Sequence, residues 1–143
     1  MKNHSGQPVH VPGTLKIWFI IHFILDILFA VPLFIAPDFF LKIAGWQIID
    51  PAAVRLVAAA LFAIGIESYL GRNAQRDAYI GMLNLKIIWS LAAVTGMLLT
   101  FIQHPDSTPI ALWLIILIFF LFNLNWIYWR LKLSADKKKE QAN

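Results

Sequence analysis

The sequence predicts an all-α integral membrane protein, a four-helix bundle with a short interfacial helix between helices 1 and 2. Three observations carry that expectation. Apolar residues make up 59% of the 143 residues and charged residues only 14%, with a mean hydropathy of +0.68, which is far from the balance of a water-soluble domain. Four apolar runs, Leu15–Ala36, Ala52–Gly71, Tyr79–Ile102 and Pro109–Trp129, are each about 20 residues long, enough to cross about 30 Å of hydrocarbon. Basic residues flank one side of these runs: Lys2, Lys16, Arg72, Arg76, Arg130, Lys132 and Lys137–Lys139, against Lys42 alone in a loop on the other. The preference of Lys and Arg for cytoplasmic loops then places both termini in the cytoplasm, with the prokaryotic plasma (inner) membrane as the expected location.

The net charge of +4 is thus a topology signal and gives no reason to expect a nucleic-acid partner. Without cysteine, the chain offers no disulfide framework, thiolate metal site or cysteine nucleophile. The first run is not a typical cleavable signal, because it carries Asp26 mid-span, exceeds a signal's apolar region in length and lacks a small-x-small exit before Pro37. The expected organisation is a flexible cytoplasmic lead over 1–14, a transmembrane domain over 15–133, and a charged cytoplasmic tail over 134–143.

In chain order, the lead holds Gly6, Pro8, Pro12 and Gly13 without apolar periodicity, and its His4 and His10 are expected to be solvated. Helix 1 puts His22 and Asp26 four residues apart on one face. Pro32 is expected to kink its outer end and Pro37 to stop it. Residues 38–49 are too few to cross and too apolar for a free loop, so a short interfacial helix ending near Gly45 is expected, with Trp46 at headgroup depth. Asp50-Pro51 opens helix 2, Asp as the N-cap and Pro at the first helical position. Helix 2 is rich in small residues, and Ala59 with Ala63 forms a small-xxx-small step suited to close helix approach. Arg55 lies near its outer end and is expected to extend toward the interface. A tight basic turn over 71–78 leads to helix 3, which carries Asn84, Lys86 and Ser90, with Lys86, Ser90 and Ala93 on one stripe. Thr108-Pro109 repeats the cap-then-proline start before helix 4, which closes with Asn123, Asn125, an aromatic belt at Trp126, Tyr128 and Trp129, and basic anchors.

The candidate site is the set of polar groups buried by depth. An ionisable side chain at a helix centre costs roughly 2.5 to 3.5 kcal/mol on insertion scales, so such groups face a partner, a cavity or a pathway. His22, Glu67, Asn84, Lys86 and Asn123 fall within roughly 6 to 11 Å of the cytoplasmic boundary, with Asp26 one turn deeper. Glu67 and Lys86, on antiparallel neighbours joined by a short turn, are expected to pair. One reading is a polar pocket in the cytoplasmic half, open to that side, that takes a lipid-like ligand or a membrane-complex partner. The other is a structural network whose contacts contribute about 0.6 to 2 kcal/mol each.

Three function classes follow. The first is a non-enzymatic protein binding a lipid-like ligand or a larger membrane complex. The second is a small oligomeric proton-coupled transporter using Glu67, and the third a membrane enzyme on an apolar substrate with His22, Asp26 and Glu67 as acid/base candidates. No cofactor is expected: a transmembrane haem needs two histidines at matching depth and only His22 is embedded, and no phosphate loop, zinc spacing or nucleophile elbow is present. Membrane lipids are the expected surroundings, with a homo-oligomer or membrane complex among the candidate partners. The run Ala36-Pro37-Asp38, then Gly45, then Asp50-Pro51 with Arg55, Ala59 and Gly65 resembles small uncharacterised bacterial four-helix membrane proteins, loosely the DoxX-like group. That resemblance covers about a third of the chain and implies a four-helix fold without an agreed activity.

Overall fold

The computed structural model describes residues 11–142, and side chains through residue 139, so Lys2, His4 and His10 of the lead lie outside the described residues. Helix α1 spans Gly13–Ile35, α2 Pro37–Ile43, α3 Pro51–Leu70, α4 Arg76–Gln103 and α5 Ala111–Ala142, with 3-10 turns at Gly71–Asn73 and Pro105–Ser107. Four of these are long and apolar enough to cross a membrane, with mean hydropathies of 1.7 to 2.3. Their outward faces carry Leu56, Ile88 and Leu117, all exposed. An apolar exterior of this extent is unsuited to water and natural in lipid. The chain is a small integral membrane protein built as an all-α four-helix bundle, with the expected short helix after the first span.

Local chemistry sets the α1–α2–α3 boundaries. Ala36, at φ −136° and ψ 62°, breaks the helix, and Pro37 opens α2 at a position where its missing N–H costs nothing. Gly45 ends α2 with φ +98°, its amide bonding to Lys42 O at 3.0 Å while the Trp46 amide reaches Leu41 O at 2.9 Å. These are the two bonds of a Schellman stop, which needs the left-handed conformation that glycine adopts without strain. Asp50 then caps α3, its carboxylate accepting from the amides of Ala52 and Ala53 at 2.9 and 3.2 Å. Arg55 donates from Nε to the Phe34 carbonyl at 3.1 Å, serving one of the unpaired acceptors at the end of α1.

Helices α1 and α4 begin two and three residues earlier than expected, at Gly13 and Arg76, and two further boundaries, those of α5, differ more. The Thr108 hydroxyl donates to Pro105 O at 2.9 Å and so closes the preceding 3-10 turn, and α5 begins later, at Ala111. At its other end α5 does not stop near Trp129 but runs through the charged tail to Ala142, because Lys, Ala and Glu are good helix formers once a helix is already propagating. An exposed Lys137–Asp77 ion pair at 3.0 Å holds this extension against the start of α4.

The backbones pack as two pairs, α1 with α3 and α4 with α5. In the first pair, Ala30 of α1 and Ala58, Gly65 and Ser68 of α3 are buried. The expected close approach through Ala59 and Ala63 is not made. Both are exposed, and the stripe in use lies about 100° around the helix. Gly65 explains the choice: a Cβ there would stand 2.7 Å from Asp26 Cβ, so only glycine lets α1 come this close. At the end bearing the Gly71–Asn73 turn, the pairs are joined by a plug that includes Leu15, Phe19, Tyr79, Leu83, Trp126 and Leu133. Phe19 lies 4.7 Å from Tyr79 and 5.7 Å from Trp126, ring centre to ring centre.

Candidate functional site: a polar floor under an apolar chamber

Beyond the plug, toward the α2 end, the two pairs border a partly open cavity of about 570 Å³ lined by all four long helices, Leu41 and Trp46. It runs about 21 Å from Lys86 to Thr100 along α4 and about 16 Å from His22 to Leu33 along α1. Its walls are apolar, with Leu25, Phe29, Leu61, Met97, Ile115 and Phe119 among them. Its polar lining is concentrated at one end, where His22, Asp26, Lys86 and Ser90 form a floor against the plug. The sequence reading opens a polar pocket toward the end bearing the basic turn. The structure closes that end with aromatic and aliphatic side chains and extends the space the other way. Trp46, expected at headgroup depth, lines the chamber.

The floor is built from three helices. Lys86 of α4 is 3% exposed, donates to Ser68 Oγ of α3 at 2.6 Å and lies within hydrogen-bond distance of His22 Nδ1 of α1 at 3.3 Å. Its ammonium also lies 5.1 Å from the ring centre of Phe19 and 5.4 Å from that of Trp126, within cation–π range. Ser68 passes its own proton to Ile64 O at 2.6 Å, which leaves its lone pairs free for Lys86. Asp26 Oδ2 approaches the same His22 Nδ1 to 2.9 Å, one turn along α1. This is a close charge contact rather than an aligned hydrogen bond, for Oδ2 is buried and accepts no hydrogen bond. His22 therefore stands between the ammonium and the carboxylate, its ring edge-to-face with Phe122 and Trp126 at 5.1 and 5.2 Å.

A second strand of the network ties α5 to α4. Asn123 donates to Ile87 O at 2.9 Å and to Ser90 Oγ at 2.8 Å, while the Ser90 hydroxyl donates to Lys86 O at 2.6 Å. Of the six polar residues singled out from the sequence, His22, Asp26, Lys86 and Asn123 thus join one buried network. The other two lie outside it. Glu67 is exposed and makes no ion pair with Lys86. Asn84 is exposed and accepts from Arg130 Nε at 2.7 Å, and Arg130 also donates to Ser134.

The expected Glu67–Lys86 pair fails on helical phase. Gly65 and Ile64 face inward, and Ser68 continues that stripe whereas Glu67 falls about 100° away. Ser68 is the polar partner that the sequence reading does not single out. Its spacing of three from Gly65 was the available signal. Ser90 was legible, one turn from Lys86 on the same stripe. No family model, no curated protein and no solved structure matches this chain.

Proposed function

We propose that this membrane protein binds a single-tailed, lipid-like molecule inside the bundle, with its polar end on the His22–Asp26–Lys86 floor and its tail along the chamber. The observation that carries the reading is the uneven polarity of the space: an apolar cavity of about 570 Å³ whose charged groups, His22, Asp26 and Lys86, gather with Ser90 at one end, with Thr100 as the hydroxyl at the other. Ligand sites are mostly apolar cavities of about 300 to 1,000 Å³ with a few converging polar groups, and this one has both features. The space is partly open, and an apolar chain lying in it covers apolar wall that is otherwise left bare.

Glu67, on which the proton-transporter reading depends, is exposed and outside the chamber, so the geometry lends that reading no support. The test is native mass spectrometry of protein extracted in a mild detergent. A retained small amphiphile is expected, and it should be lost from Gly96→Phe, whose side chain enters the chamber at a position where a new Cβ meets nothing within 4 Å. Wild-type protein that emerges with no added mass from its native membrane, or a ligand retained equally by the filled variant, overturns the proposal.

A further inference from the structure

The hydrogen-bond donors left over at the polar end of the chamber specify the head it accepts. We infer that the chamber takes a chain whose head presents an oxygen acceptor, an ester or ketone carbonyl or a hydroxyl, to the His22 Nε2–H and the spare ammonium proton of Lys86. This deepens the proposed function and rests on it.

Most polar groups at this end are already satisfied within the protein. The Ser68 hydroxyl donates to Ile64 O and the Ser90 hydroxyl to Lys86 O, while Asn123 uses both amide protons on Ile87 O and Ser90 Oγ. Asp26 Oδ2 is fully buried, out of a ligand's reach. Two donors remain. An ammonium carries three protons, and Lys86 gives one to Ser68 and a second to His22 Nδ1 at 3.3 Å, which leaves one uncommitted. His22 Nε2 makes no hydrogen bond among the described residues, and unlike Asp26 Oδ2 it is not sealed off: the His22 side chain is 12% exposed and lines the chamber.

The proton on Nε2 follows from the neighbours of Nδ1. An ammonium offers only protons, so beside Lys86 the Nδ1 atom presents its lone pair and the neutral ring carries its proton on Nε2. A doubly protonated ring, favoured by Asp26 Oδ2 at 2.9 Å, has a proton there as well. In both states Nε2 is a donor, set at the end of a chamber whose neighbouring walls, Leu25, Phe29 and Phe122 among them, offer no acceptor side chain. A donor without a partner in apolar surroundings is costly, and an acceptor brought by a ligand relieves that cost. The head need not donate in return.

The experiment compares three probes of equal non-hydrogen atom count on the intact protein in detergent at equal micellar mole fraction: methyl tetradecanoate, which only accepts, hexadecanol, which accepts and donates, and heptadecane, which does neither. Retention by native mass spectrometry and the ligand-induced rise in melting temperature are read together. The ester and the alcohol should bind within a few-fold of each other and about tenfold more tightly than the alkane, the ratio expected for about one net hydrogen bond. In His22→Phe, which keeps an aromatic ring against Phe122 and Trp126 but removes the donor, that advantage should shrink several-fold. The wild-type ranking stands as a test even if that variant does not fold. Alkane held as tightly as the ester, or alcohol held about tenfold more tightly than the ester, overturns the acceptor-head inference while leaving the chamber as a binding site. Retention of none of the three removes the binding reading itself.

Discussion

Gly65→Ala adds one methyl group where α1 and α3 come closest. The new Cβ would stand 2.7 Å from Asp26 Cβ and 3.3 Å from its Oδ2. Carbon pairs settle near 3.5 to 4.0 Å, so the helices must part by about 1 Å. Over-packing of this kind costs about 1 to 3 kcal/mol, and the better helix propensity of Ala returns about 0.5 to 1 kcal/mol. A net loss of roughly 0.5 to 2 kcal/mol is expected. Gly96→Ala is the matched control: its Cβ meets nothing within 4 Å, so the propensity gain alone remains. Melting both variants beside wild type in one detergent should move them in opposite directions. Shifts of the same sign would mean that the α1–α3 contact is not where the structure puts it.

Three further outcomes are expected. Because the chain has no cysteine, single cysteines at the exposed Gln75 and Ser107 should label from opposite sides of the membrane with an impermeant thiol reagent, and labelling from one side rejects the four-span arrangement. Asp50→Ala removes the carboxylate that holds two amides at the start of α3 and should lower stability by about 0.5 to 2 kcal/mol in the same melting assay. Lys86→Met should be strongly destabilising, since it strands the buried Asp26 charge, and should be more strongly non-additive with Ser68→Ala than with Glu67→Gln. Stronger coupling of Lys86 to Glu67 than to Ser68 would restore the pair that helical phase argues against.

What the sequence made legible was local. The α2 stop at Gly45 and the α3 start at Asp50-Pro51 could be read because each depends on a few adjacent residues with strong preferences. Thr108-Pro109 carries the same signature, but Pro105 three residues earlier offers its carbonyl to the threonine hydroxyl, and the apparent cap is spent on another turn. The rotation of each helix about its axis was far less legible. In a soluble protein the apolar stripe marks the inward face, whereas lipid leaves apolar residues on every side and removes that signal. Hence composition alone does not separate Ala59–Ala63 from Ala58–Gly65 as a packing stripe, nor Glu67 from its neighbour Ser68 as the inward residue. Only side-chain contacts between helices decided between them.

The buried polar groups look at first like a choice between scaffold and site, yet their placement makes the two roles one. Lipid is as apolar as leucine, so the bundle gains little from hiding aliphatic surface and depends on close packing and inter-helix polar contacts to select its inward faces. Lys86 supplies those contacts to α1 and α3, and Ser90 with Asn123 supplies them between α4 and α5. A network serving only that purpose would be surrounded by packed side chains. Here the plug packs against one side of it, and the other side opens on the chamber. The groups that align the four helices therefore also form the polar end of the space that a ligand would fill, through His22, Asp26, Lys86 and Ser90. A ligand seated there touches walls from all four long helices, so occupancy and stability should rise together.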